Sequence, residues 1–136
     1  MKRNFTFCLA IILALNILCQ YSVLASNIAP YYNNTSHTTT AFDITSTGKA
    51  IVYVDYTGYS GVTTGATIEI KIEKRNFLFF WNDVVAETLS VDGYRYDNEL
   101  YYQLTDTGTY RCTVEYTISG TGGTSDVVTF EDTAEY

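Results

Sequence analysis

Apolar and polar residues alternate along much of this chain. In residues 68–73 isoleucine occupies every even position, and glutamate or lysine occupies every odd one. In residues 109–119 Tyr110, Cys112 and Val114 fall on one face, and charged or hydroxyl side chains fall on the other. A period of two is that of a β-strand with one buried and one hydrated face. No segment shows the period of an amphipathic helix.

Turn signals separate these segments into seven predicted strands. Glycine-rich, Asp-Gly and Lys-Arg-Asn stretches lie between them, and such residues favour reversals of the chain. The predicted strands are residues 38–45, 49–56, 68–73, 77–90, 100–105, 109–119 and 124–132. Seven short antiparallel strands favour an all-β, two-sheet sandwich over a barrel.

The first 25 residues have the pattern of an N-terminal signal peptide. Lys2 and Arg3 precede an apolar run over residues 5–18, and Ala25 provides a small residue for cleavage before Ser26. The apolar run is shorter than the roughly 20 residues that a membrane span needs. We therefore expect no stable membrane anchor.

The rest of the chain divides into a lead-in and one domain. Residues 26–37 are polar and show no pattern, which predicts a flexible lead-in. Residues 38–136 contain all the predicted strands and are numerous enough for one domain with its own core. With the leader removed, we expect this domain to be secreted and extracellular.

The charge of the chain limits its possible partners, and its cysteine content limits its possible disulfide bonds. The chain has 8 basic and 15 acidic residues, and loss of Lys2 and Arg3 with the leader leaves a net charge of −9. A field of that sign repels phosphate backbones and anionic lipid surfaces, which argues against nucleic-acid partners. Cys112 is the one cysteine after the leader, so no disulfide bond within the secreted chain is expected.

A local motif precedes the sixth predicted strand. The run Asp-Thr-Gly-Thr-Tyr-Arg-Cys at residues 106–112 resembles the D-x-G-x-Y-x-C run of immunoglobulin-like domains. In that family the tyrosine hydroxyl bonds back to the nearby backbone, two residues before a core cysteine. The resemblance implies an immunoglobulin-like or fibronectin-III-like sandwich, with Tyr110 as a structural tyrosine corner and Cys112 directed into the core.

The longer pattern resembles a group of small exported proteins of Gram-positive, clostridia-like bacteria. The corresponding pieces are the leader, residues 68–76, the tryptophan-bearing segment 80–89 and the Tyr-Arg-Cys-Thr-Val run at 110–114. The group has no assigned activity, so the resemblance implies bacterial export and a β-fold but no ligand. An immunoglobulin-superfamily ectodomain of a eukaryote or virus is the alternative.

No pattern predicts a catalytic, metal or cofactor site. His37 is the only histidine and lies in the lead-in, so Cys112 has no base to activate its thiol. The carboxylates are spread over predicted turns and outward faces, with no pair placed for glycoside hydrolysis. The loop from Asp92 to Glu99 raises calcium as an alternative, but its spacing is not that of the twelve-residue calcium loop. We therefore expect the protein to be non-enzymatic. We expect the segment from Asp92 to Glu99 to be a solvated acidic turn.

One run of large apolar residues is a candidate binding surface. It consists of Phe77, Leu78, Phe79, Phe80 and Trp81. Adjacent residues of a strand face opposite sides, so part of this run should be exposed at the tip of a hairpin. Two roles are open. The rings fold over the open end of the sandwich, or Phe77, Phe79, Phe80 and Trp81 contact a partner.

The predicted function is a secreted, non-enzymatic binding or interaction module whose ligand is unidentified. The expected partner is a protein or a glycan at a cell surface. The second hypothesis is a secreted carbohydrate-binding module that stacks sugar rings on aromatic side chains. A sugar-dependent shift of Trp81 fluorescence would favour that second hypothesis.

The leader pattern predicts that the mature protein begins at Ser26. N-terminal sequencing of protein recovered from the culture medium should show this start, because Ala25 is the small residue that a signal peptidase reads. A sequence beginning at Met1 would contradict cleavage. A lipid on Cys19, which the bulky Leu18 disfavours, would contradict release.

Overall fold

The computed structural model describes residues 31–136. The predicted signal peptide, residues 1–25, and the first part of the predicted lead-in, residues 26–30, lie outside the described residues. Regular structure in the described part is entirely β-strand. No helix there is long and apolar enough to cross a membrane.

Seven strands, all paired antiparallel, follow one another along the chain. They are β1 (Thr35–Ile44), β2 (Lys49–Gly58), β3 (Thr63–Arg75), β4 (Trp81–Asp92), β5 (Arg95–Gln103), β6 (Thr109–Gly120) and β7 (Asp126–Glu135). One sheet has three strands in the order β1-β2-β5, and the other has four in the order β4-β3-β6-β7. The prediction of an all-β protein with seven antiparallel strands in two sheets is confirmed.

The inward faces of the two sheets share one hydrophobic core. Ile68, Ile70 and Ile72 of β3 are at most 1% exposed, whereas Glu69 and Lys71 between them face solvent. The same alternation runs along β2 and β6. The core residues are Phe42, Ile44, Ala50, Val52, Val54, Tyr56, Ala66, Ile68, Ile70, Ile72, Leu104, Tyr110, Cys112, Val114, Tyr116 and Ile118.

β4 begins four residues later than the sequence predicts. The apolar run from Phe77 was expected to start the strand, but the strand starts at Trp81. The reversal comes first, because the N–H of Asn76 donates to the carbonyl of Phe80 at 2.8 Å. The assignment of residues 77–80 to a strand is therefore wrong, and these residues form the turn between β3 and β4.

β5 begins earlier than the sequence predicts. Residues 95–99 were expected in an acidic loop, but they form the first half of the edge strand β5, where Asp97 pairs with Asp55 of β2. Alternation places Asp97 and Glu99 on the outer face of the sheet, and an outer edge face tolerates charge. The acidic loop proposed for calcium is therefore not formed. Within residues 31–136 no three His, Cys, Asp or Glu side chains are grouped to hold a metal ion.

The end of the predicted lead-in is anchored to the sandwich. The Asp126 carboxylate accepts hydrogen bonds from the N–H groups of Asn33 at 2.9 Å and Asn34 at 2.7 Å. Burial raises the pKa of Asp126, but these bonds outweigh burial and hold the pKa below its ordinary value. β1 therefore begins at Thr35 rather than after His37.

Asn34 joins two further loops and is fully buried. Its side-chain amide donates to the carbonyl of Thr124 at 2.9 Å, and its side-chain oxygen accepts from the N–H of Gly122 at 3.1 Å. Its backbone carbonyl accepts a hydrogen bond from the Thr63 hydroxyl. A Cβ at Gly122 would clash with the carbonyl of Asn33, so this close approach requires glycine.

Tyr110 and Cys112 lie at the opposite end of β6 from this anchor. The Tyr110 side chain is buried, and its hydroxyl donates to the carbonyl of Asp106 at 2.6 Å. Cys112 is a fully buried free thiol. Burial and the nearby Asp132 raise the pKa of this thiol to about 12, so it stays protonated and unreactive at neutral pH.

Replacing Tyr110 with phenylalanine should destabilise the protein by about 1–3 kcal/mol, because the carbonyl of Asp106 loses its partner. The midpoint of urea unfolding measures the change. Tyr94→Phe, at a tyrosine that is 40% exposed, is the matched control and should leave the midpoint unchanged. A Tyr110→Phe protein as stable as the parent would show that the hydroxyl is not structural.

Candidate functional site

The turn between β3 and β4 carries four exposed large apolar side chains. Phe77 is 87% exposed, Leu78 56%, Phe79 70% and Phe80 66%. We name these four residues the apolar tip. Single exposed apolar residues are ordinary, whereas a contiguous group of this kind is a candidate interaction surface. With this exposure the rings do not fold over the open end of the sandwich.

Asn76 organises the backbone of the apolar tip. Its N–H donates to the Phe80 carbonyl at 2.8 Å, and its carbonyl accepts from the Phe79 N–H at 3.0 Å. Its side-chain oxygen accepts from the N–H groups of Leu78 at 2.9 Å and Phe80 at 3.0 Å. The N–H groups of all three residues are therefore satisfied inside the turn, as in other turns closed by an asparagine side chain.

Phe79 adopts a backbone conformation that favours glycine. Its φ of 66° lies in the left-handed region, which costs a residue with a Cβ roughly 1–2 kcal/mol. The guanidinium of Arg75 lies 4.6 Å from the centroid of the Phe79 ring, a cation–π contact that offsets part of this cost. Such strain is typical of positions where the side chain has a role of its own.

Trp81 supports the base of the apolar tip and is half-buried. The guanidinium of Arg111 lies 4.6 Å from the Trp81 ring centroid. Arg111 in turn donates two hydrogen bonds to the Glu73 carboxylate, at 2.9 and 2.6 Å. Burial raises the pKa of Glu73, but Arg111 and Lys71 outweigh burial and hold the pKa below its ordinary value. Glu73 is thus charged at neutral pH and keeps Arg111 against Trp81.

Two basic residues adjoin the apolar tip, although the chain as a whole carries a net charge of −7. Lys74 and Arg75 end β3, and residues 74–82 contain no acidic residue. With Asn76, Phe77 and Asn82 they line a shallow cavity of about 340 Å³. The Lys74 ammonium lies 3.7 Å from the Asp106 carboxylate. Positive charge and apolar surface are therefore adjacent here.

A second concavity lies on the outer face of the three-stranded sheet. Its volume is about 250 Å³, and its lining residues are Tyr53, Asp55, Arg95, Tyr96 and Asp97. Asp55 and Asp97 face each other across β2 and β5, a like-charge pair that opposes sheet pairing. The sequence pattern did not reveal this pair, because residues 95–99 resembled a loop.

The aromatic residues that the sequence predicted as a surface are brought together by the β3–β4 hairpin: Phe77, Phe79, Phe80 and Trp81. Leu78 joins them, although strand alternation had placed Leu78 and Phe80 on the face opposite to the other three. Tyr110 and Cys112 lie in the core. His37 is exposed on β1, where its ring bonds the Thr39 hydroxyl at 2.7 Å, so the histidine and the buried thiol do not form a catalytic pair.

No family model, no curated protein and no solved structure matches this chain.

Replacing Phe79 with glycine should stabilise the protein by about 1 kcal/mol, because glycine adopts the left-handed backbone without strain. The midpoint of urea unfolding at constant m-value measures the gain. Phe77→Gly is the matched control, since Phe77 lies in the same turn without a positive φ, and it should give no gain. Equal stability of the two variants would contradict strain at Phe79.

Proposed function

We propose that the protein is a secreted, non-enzymatic binding module that contacts a component of a cell surface through the apolar tip. One observation carries the proposal: four consecutive large apolar side chains are exposed at the end of one hairpin. Covering such a side chain fully is favourable by about 1.5–3 kcal/mol. A partner that covers two or three of them therefore gains appreciable affinity.

The apolar tip is also pre-organised for binding. Asn76 closes its backbone with four hydrogen bonds, and Arg111 holds Trp81 at its base. A surface that is already ordered loses less conformational entropy when a partner binds. These supports favour display of the apolar tip over a role in the core.

The sandwich is proposed to be immunoglobulin-like. Tyr110 begins β6, bonds back to the Asp106 carbonyl and precedes the core residue Cys112 by two positions, which is the arrangement of a tyrosine corner. Constant-type immunoglobulin domains place the fourth strand with the first, second and fifth, whereas β4 pairs with β3 here. In this arrangement the hairpin that carries the apolar tip lies wholly within the four-stranded sheet.

The leader pattern and the resemblance to small exported proteins of clostridia-like bacteria support secretion. The acidic balance of the secreted chain argues against nucleic-acid partners, which leaves a protein or a glycan as the classes favoured by the sequence. Sugar stacking on Trp81 has less support, because this side chain is half-buried and Arg111 lies over its ring.

Binding of the exported protein to isolated bacterial cell envelopes and to an array of glycans tests the proposal. The double variant Phe77→Ser/Phe80→Ser should lower retention by about tenfold or more, since it removes two apolar side chains from the contact. The matched control is Tyr59→Ser/Val127→Ser, which changes two exposed apolar residues near the other end of β3.

Both double variants should keep the urea midpoint of the parent, because none of the four side chains lies in the core. If the parent protein is retained neither on the cell envelopes nor on the glycan array, the proposed function is contradicted. Retention that the tip variant and the control variant reduce equally would show that the apolar tip is not the binding site.

A further inference from the structure

We infer that the cell-surface component contacted by the apolar tip is the interface of a phospholipid bilayer, into which the tip inserts reversibly. The inference rests on the proposed function, because it takes the apolar tip as the binding site and names its partner. Shape, backbone hydrogen bonding and the position of charge support it.

The apolar tip projects from the hairpin instead of forming a flat patch. Its four side chains are consecutive in a turn, and each is more than half exposed. A rigid flat partner covers one side of such a projection and leaves the other side in water. The fluid boundary between headgroups and acyl chains surrounds an apolar projection on all sides.

Three backbone N–H groups of the apolar tip need no hydrogen-bond partner from solvent. Peptide N–H groups without partners are costly in hydrocarbon, where water does not replace them. The N–H groups of Leu78, Phe79 and Phe80 all donate to oxygens of Asn76. The turn therefore brings its phenylalanine and leucine side chains into lipid without these three groups losing hydrogen bonds.

Charged and aromatic residues lie where a bilayer interface would place them. Arg75 immediately precedes the turn, and its guanidinium lies against the Phe79 ring, from where a long side chain reaches phosphate groups while the apolar tip lies deeper. Lys74 is paired with Asp106 instead. Trp81 follows the turn, and tryptophan is enriched at the level of lipid headgroups. The apolar tip itself contains no carboxylate, and the nearest one on β4, that of Asp83, is paired with the Lys71 ammonium at 2.9 Å.

The overall charge selects the kind of bilayer. The secreted chain carries a net charge of −9 once Lys2 and Arg3 are removed, so an anionic membrane repels the protein at a distance. Zwitterionic phosphatidylcholine presents phosphate groups to Arg75 without that repulsion. Four side chains bury far less apolar surface than a membrane span, so binding is reversible.

Trp81, the one tryptophan of the chain, reports insertion at the base of the apolar tip. The exported protein is titrated with phosphatidylcholine vesicles whose acyl chains carry bromine near the headgroup. We expect a blue shift and quenching of Trp81 fluorescence. The variant Phe77→Ser/Phe80→Ser should need at least about tenfold more lipid to reach the same quenching. The control variant Tyr59→Ser/Val127→Ser should need as much lipid as the parent. Partial replacement by phosphatidylglycerol should weaken binding at low salt.

Absence of quenching in the parent would overturn the inference, and so would equal quenching of the parent and the tip variant. Binding to lipid-extracted envelopes or glycans that depends on the apolar tip, without vesicle binding, would overturn the lipid partner and leave the proposed function standing. If the parent and the tip variant bind vesicles, envelopes and glycans equally, both the lipid partner and the proposed function are overturned.

Discussion

Along β2, β3 and β6 every second side chain is buried between the two sheets. This alternation fixes the register of the strands and thereby the positions of the turns that join them. Ile70 is 1% exposed, while Glu69 and Lys71 beside it face water. A register slip of one residue would exchange them and bring charge into the core, so β3 has one favourable pairing with β6. The pairing ends near Lys74. Residues beyond that point extend past the core, which is why the apolar tip is exposed.

Polar groups hold the sandwich where apolar packing ends. Asp126 binds the chain entering β1 at one end of β6, and the Tyr110 hydroxyl binds the Asp106 carbonyl at the other. On the outer face Glu73 fixes Arg111. Buried polar groups with satisfied hydrogen bonds specify one arrangement of neighbouring elements. Of these contacts, the Glu73–Arg111 pair lies at the base of the β3–β4 hairpin and joins β3 to β6; the described residues contain no disulfide bond.

The strands were predictable where burial is one-sided, as in β3 and β6, because alternation is a local property of the sequence. The start of β4 was not predictable in the same way. Aromatic residues favour strands, and only the side-chain hydrogen bonds of Asn76 reveal that Phe77 to Phe80 form a turn. The anchoring of Asn34 was equally hidden, since its partner Asp126 is 92 positions away in sequence. The run from Phe77 to Trp81 was found from the sequence, but strand alternation divided it between two faces, whereas the turn exposes Phe77 to Phe80 together.

Since Asn76 supplies the hydrogen bonds that close the turn, the four side chains that follow are not needed for folding. Because none of these side chains lies in the core, we expect substitution there to leave the strand register and the anchors of β6 unchanged. Residues 77–80 should therefore tolerate substitution, with glycine or asparagine favoured at position 79 by its left-handed backbone. The same separation of stability from surface chemistry makes this turn a suitable position for a randomised library, from which binders with new specificities can be selected on an unchanged scaffold.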